Sequence, residues 1–163
     1  MPIYNFRFNH PNGGPDRYPL GLSLAGAFMP VEIHVPSPIA ALLARDQKPV
    51  PSPATGVAII DTGATYTAVD ESVLQRLGLA PVGPIASGTA NGPVVHQIYP
   101  ARLLIPTLPG YDPQVQQVVG VNLAGQFVAT RPPQKIVALI GRNLLANWLM
   151  VWNGPAGEWS VSL

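Results

Sequence analysis

The sequence predicts a mainly β fold, a closed, barrel-like sheet carrying two or three short helices. Three observations carry that prediction. Apolar residues make up 47% of the 163 residues and charged residues only 10%, against about 25% charged in an average soluble domain. The chain therefore has ample material for a core and little for a charged surface. Its apolar positions come in short runs or in strict alternation, the spacing of strands, broken by turn-forming residues. Twenty prolines fit turns and edge strands, since the apolar content is too high for a disordered chain. A chain of 163 residues suits one core that buries roughly two thirds of the unfolded surface.

The elements follow in order. Residues 1–29 form an N-terminal extension or edge strand: Ile3, Phe6 and Phe8 are spaced apolar positions, followed by the turn-rich Asn12-Gly13-Gly14-Pro15, which suits an edge strand or a mobile arm. Residues 30–163 form the main domain. Val31 to Val35 alternates cleanly and predicts a half-buried strand. Ser37-Pro38 ahead of Ile39 to Arg45 is a helix start, with Pro49 to Pro53 ending the helix. Gly56 to Ile60 is an apolar strand leading into Asp61, and Asp70 is placed to cap a short helix through Leu77 that closes at Gly78.

Ile85 to Val95 pairs two extended segments about a tip of small residues, Ser87 to Asn91, as a β-hairpin does. Val115 to Leu123 and Gln126 to Thr130 suggest a second hairpin around Ala124-Gly125. Ala138 to Ile140 is an apolar strand broken by Gly141, after which Leu144, Leu145, Trp148 and Leu149 fall on one helical face. Met150 to Trp152 and Trp159 to Val161 flank Asn153 to Gly157 as a final hairpin.

Several function classes drop out. The net charge is +1 and no Lys/Arg cluster exists, so the electrostatic footprint of a nucleic-acid binder is missing. With zero cysteines, disulfides, thiolate catalysis and cysteine zinc sites are excluded. His10, His34 and His96 are far apart without ligand-like spacing, so neither a metal nor a cofactor is expected. The start has no basic segment followed by an apolar stretch, and the apolar run Leu20 to Val31 is interrupted and too short to span a bilayer. A cytoplasmic protein without membrane contact is the expectation. Low surface charge further suggests that another copy of the chain covers part of the exterior.

The chemistry gathers at Asp61-Thr62-Gly63-Ala64. Val57 to Ile60 carries Asp61 to the end of a buried strand, and Gly63 lets the backbone turn sharply there. A carboxylate at the mouth of an apolar interior is costly unless it is hydrogen-bonded or used. Farther along, the chain reads Ala138-Leu139-Ile140-Gly141-Arg142-Asn143-Leu144-Leu145. An apolar strand into Asp-Thr-Gly-Ala, then a hairpin, then a strand into Ile-Gly-Arg-Asn-Leu-Leu resembles the retropepsin family of aspartic proteases, over about Pro30 to Leu163.

The resemblance implies a retropepsin (acid protease) fold and an aspartic endopeptidase that hydrolyses extended peptides. It implies that Asp61 is catalytic, that the Thr62 hydroxyl bonds across a two-fold axis, and that the Gly63 N–H faces the carboxylates. Ile140, Gly141 and Arg142 would pack behind the loop, and Ser87, Gly88, Thr89, Ala90 and Asn91 would form the tip of a flap over the substrate. Of the eight carboxylates, Asp16, Glu32, Asp46, Asp61, Asp70, Glu71, Asp112 and Glu158, only Asp61 lies in such a triplet. Peptide hydrolysis by a carboxyl pair sharing one proton then requires a second subunit, so the expected partner is a second copy.

Departures from the family pattern are visible. Ala64 stands where pepsin-like enzymes place Ser or Thr, which predicts a mildly acidic working range. The flap tip has one glycine where retroviral flaps have several. Retroviral enzymes pair the arginine of Ile-Gly-Arg-Asn with an aspartate that here is Thr65, which leaves Arg142 as a helix-start arginine with its charge in solvent. These departures keep open a rival reading, a catalytically inactive retropepsin-fold dimer acting as a binding or scaffold domain.

Overall fold

A computed structural model describes residues 2–7, 18–89, 92–112, 116–130 and 132–163. In chain order the elements are β1 (Ile3–Arg7), α1 (Tyr18–Ala25), β2 (Phe28–His34), α2 (Ser37–Arg45), β3 (Ala54–Ile60), β4 (Ala68–Asp70), α3 (Glu71–Arg76), β5 (Gly83–Thr89), β6 (Gly92–Leu104), β7 (Gln116–Val121), β8 (Phe127–Val128), β9 (Gln134–Ile140), α4 (Arg142–Leu145), β10 (Leu149–Asn153) and β11 (Glu158–Ser162). No helix among the described residues is long and apolar enough to cross a membrane.

The larger sheet is ring-like. The order β2-β3-β9-β4-β7-β6 returns on itself because β2 also pairs with β6, at Glu32 to Leu104, Ile33 to Leu103 and His34 to Arg102. The strand β5 hangs from β6, and β8 from β9. Alternation in β2 shows why these residues make such a wall: Met29, Val31 and Ile33 are fully buried while Pro30 faces out. Burying one side chain of that size stabilises by roughly 1.5–3 kcal/mol. They meet Leu74 of α3, Leu103 of β6, Val118 of β7 and Ile140 of β9 in a single core.

A second sheet has the order β1-β11-β10, and its Trp159 and Val161 join the same core. Strand β1 runs antiparallel to β11, where Phe6 lies opposite Trp159 and stacks on its ring at 4.3 Å. The turn-rich Asn12 to Pro15 stretch lies outside the described residues.

Three expectations are corrected. There are four helices among the described residues, not two or three. The additional one is α1, which starts with Pro19 in its first turn, where a missing N–H costs nothing. It buries Leu22 and stops at Gly26, whose φ is +72°. Helix α2 spans Ser37–Arg45, the extent expected, and the chain turns at Asp46 and Gln47, the latter with φ 54°, before it reaches Pro49.

The hairpin around Ala124-Gly125 does not form. Strand β7 gives one edge to β6 and the other to β4, and the Leu123 N–H is tied to Asp70 Oδ2 at 3.2 Å. The chain then turns, with Gln126 N–H donating to Leu123 O at 3.1 Å, and β8 pairs with β9. Finally, the helix after Gly141 spans only Arg142–Leu145. Its last turn tightens as Trp148 N–H donates to Leu145 O at 3.0 Å, and Leu149 enters β10 instead of a helical face.

Candidate active site

Parallel pairing of β3 with β9 brings the two sequence motifs together. Both strands run out at the same end of the sheet, and the Asp61 N–H donates to Ile140 O at 3.0 Å. The backbone then turns so that the N–H groups of Gly63 and Ala64 donate to Asp61 Oδ1 at 2.9 and 3.1 Å. A single carboxylate oxygen thus holds the loop. Oδ2 accepts no hydrogen bond from any described residue. Asp61 is half-buried, whereas Thr62 and Gly63 are exposed.

The second motif locks this loop from behind. Gly141 lies so close to the backbone at Tyr66 that a Cβ built there falls 2.4 Å from the Tyr66 carbonyl carbon and 2.5 Å from its oxygen. Only glycine permits that approach. The buried Thr67 hydroxyl donates to Asn143 Oδ1 at 2.9 Å and accepts from Gly141 N–H at 3.1 Å, while Thr67 N–H donates to the same Asn143 oxygen at 2.7 Å.

Arg142 does not hold its charge free in solvent, contrary to the sequence expectation. Its Nη1 donates to Thr62 O at 2.8 Å and to Gly63 O at 2.9 Å, and its Nη2 donates to Thr65 Oγ1 at 2.8 Å. The hydroxyl occupies the role expected of a carboxylate, and two loop carbonyls complete the fork. Ile140 is fully buried and belongs to the core beneath the loop.

The remaining described carboxylates are engaged elsewhere. Glu158 pairs with Arg7, Asp46 with Arg45, Asp112 with Arg102, and Glu32 with His34. Glu71 accepts from the Tyr99 hydroxyl at 2.6 Å, and Asp70 caps α3 through Ser72. Glu71 in turn holds the Tyr99 hydroxyl above its ordinary pKa. Among the described residues no group of three or more His, Asp or Glu stands together as metal ligands would.

A cleft of about 350 Å³ opens between the Asp61 loop and the β5–β6 hairpin. Gly63, Ala64, Thr65 and Tyr66 form its loop side, and Ala86, Ser87, Gly88 and His96 its hairpin side. Of the expected flap residues, Ser87 and Gly88 line it and Thr89 ends β5 opposite Gly92. Ala90 and Asn91 lie outside the described residues. The roles of Thr67, Asn143 and Tyr66 escape a sequence reading, since no local pattern marks them. For His96 the inward alternation of the hairpin was the available signal.

A family model described as aspartyl protease matches residues 53–104, from the approach to β3 through the end of β6. Together with the mainly β, ring-like sheet, the match supports a retropepsin-like aspartic protease family and the general function of an aspartic protease. No curated protein and no solved structure matches the chain.

Proposed function

We propose that the protein is a homodimeric aspartic endopeptidase in which two Asp61 carboxylates, one per subunit, activate a water that hydrolyses a peptide bond. The single observation that supports this most is the asymmetry at Asp61, with Oδ1 held by two backbone N–H groups and Oδ2 without a described partner. A carboxylate fixed in orientation but open on one side is poised to face a second one. Brought together, the two share one proton, because like charges a few ångströms apart cannot both stay ionised.

The chemistry then balances. The ionised member takes a proton from water as its oxygen attacks the peptide carbonyl carbon, and the protonated member donates to the carbonyl oxygen. As the tetrahedral intermediate collapses, the ionised member takes a proton from one of its hydroxyls to leave the new carboxyl group, the C–N bond breaks, and the departing nitrogen receives the proton of the other member, so the pair again holds one proton. Substrate would lie extended in the cleft under the β5–β6 hairpin, pairing with its backbone.

Dimerisation is supported by what the chain leaves uncovered. Among the described residues strand β10 pairs only with β11, and Leu149, Val151 and Trp152 are 61, 54 and 54% exposed on it, with no charged residue among Leu149–Asn153. An apolar edge of that kind invites another strand. We place the second copy there.

The test is Asp61→Asn, which keeps the shape of the side chain and removes the shared proton. Cleavage of a peptide library is expected to fall by at least about 1,000-fold, roughly the scale of losing general acid–base help, while the solution mass across concentrations stays that of a dimer. Wild type and variant equally inert as confirmed dimers would favour the binding or scaffold reading instead.

A further inference from the structure

The hairpin face that looks into the cleft is not uniformly apolar. Register places Ile85 opposite His96 and Ser87 opposite Val94. Half-buried and exposed positions alternate from Gly83 to Gly88 and from Val95 to Ile98, and with the register this sets Ile85, Ser87, His96 and Ile98 on one face, which the exposed Val94 shares opposite Ser87. Ser87 and His96 are therefore diagonal cross-strand neighbours, about 7 Å apart and within reach of one ligand group. Both line the cleft beside Gly63 and Ala64.

The rest of that lining is mostly small or aliphatic, as at Ala68, Val119 and Leu139, and it includes no carboxylate, lysine or arginine. His96 is thus the one lining group able to carry positive charge. Neither its ring nor the Ser87 hydroxyl has a side-chain hydrogen bond to another described residue. Filling the cleft with an aliphatic group would bury two donors unpaired, a cost that sites built to hydrogen-bond a substrate use to reject analogues.

We propose that this cleft selects a substrate side chain ending in a carboxylate, held by the His96 imidazole and the Ser87 hydroxyl. His96 is the specificity-determining residue, and Ser87 assists it. A carboxylate supplies acceptors to both donors and adds charge to the imidazole bond, whereas an amide supplies only a neutral oxygen. A lysine or arginine side chain would meet no acid in the lining. The inference rests on the peptidase reading and names its substrate class.

The experiment uses one peptide backbone with Glu, Gln or Leu placed in turn at each position flanking the scissile bond. Both kcat/KM on wild type and binding to Asp61→Asn by calorimetry are measured. At one position Glu should exceed Leu by about tenfold, the size of one charge-assisted hydrogen bond, with Gln between. The His96→Leu variant should abolish that ranking, His96→Lys should retain it, and Ser87→Ala should weaken it; circular dichroism checks that each variant folds.

Cleavage without any Glu preference, or a preference that survives His96→Leu, overturns the inference and leaves the peptidase reading intact. Absence of cleavage with the Glu ranking preserved in binding sinks the peptidase reading and keeps the selective cleft. Neither cleavage nor binding removes both.

Discussion

Arg142 and Thr65 stand 77 positions apart and are joined by a hydrogen bond of 2.8 Å from guanidinium to hydroxyl. The same guanidinium holds the carbonyls of Thr62 and Gly63, so one side chain of α4 fixes the backbone that follows Asp61. Where a retropepsin-like pattern leads one to expect an ion pair, the chain uses a neutral acceptor and two peptide oxygens.

Removing that side chain should therefore be felt at the site more than in the fold. Arg142→Ala loses three exposed hydrogen bonds, worth about 1–2 kcal/mol of stability in total after solvent competition. Cleavage should fall further than stability does, because the loop that aims Asp61 is released. Thr65→Asp restores a carboxylate to the guanidinium but, being exposed, should raise the melting midpoint by no more than about 1 kcal/mol equivalent. Thermal melts and kcat/KM on the same preparations check both; an unchanged kcat/KM in Arg142→Ala would contradict the role assigned to the fork.

Gly141→Ala addresses the other clamp. The added methyl would lie 2.4 Å from the Tyr66 carbonyl carbon and 2.8 Å from Thr67 N, and backbone cannot swing aside as a long side chain can. The displaced segment also carries Thr67, whose hydroxyl accepts from Gly141 N–H. A loss of about 3 kcal/mol is expected, at the upper end for overpacking. Denaturant unfolding checks it, and a midpoint within error of wild type would mean that the approach of the two segments is looser than described.

How far this site is legible in the sequence depends on whether its parts are local. Asp61-Thr62-Gly63 and Ile140-Gly141-Arg142 are short, contiguous and each tied to a strand end, so their meeting follows once both strands are recognised. The cap at Asp70 is equally local and is seen as expected, with Ser72 N–H donating to Asp70 Oδ1 at 3.0 Å. Strand β4, by contrast, has three residues, all buried, which is too short for any period to register. The Ala124-Gly125 hairpin fails for a different reason: its first arm already has neighbours on both edges, which no local signal reports. The Arg142 fork was equally hidden, because two of its three acceptors are backbone carbonyls that any residue offers.

Asp70 gives a pH dependence with a definite sign. Burial pushes its carboxyl upward, but the Ser72 hydroxyl, the Lys135 charge and the N–H groups of Leu123 and Ser72 outweigh that and leave it below its ordinary value. A carboxyl lowered on folding stabilises in full above its unfolded value of about 3.9. That contribution fades as pH falls through the lower folded value. Wild type should thus lose stability below about pH 4, while Asp70→Asn, which keeps an oxygen to cap α3 but sets an amide N–H₂ against the buried Leu123 N–H, should show a flatter acid limb and cost about 1–2 kcal/mol at neutral pH. Unfolding free energies across acid pH decide it; parallel acid limbs would remove Asp70 as the cause.

Strand β10 offers the test of assembly. Val151 sits in the middle of its unpaired edge and is 54% exposed, so a lysine there places a charge where a second strand would have to dock, while its pairing with Ser160 of β11 is kept. Val151→Lys should leave the melting midpoint of the isolated chain within about 0.5 kcal/mol equivalent of wild type and weaken self-association by about tenfold or more. Because each site would need Asp61 from two chains, specific activity of the variant should rise with its own concentration over the range in which sedimentation shows monomers giving way to dimers. Activity proportional to protein at every dilution, from a species sedimenting as a single chain, would mean that one Asp61 suffices or that its partner comes from elsewhere in the same chain.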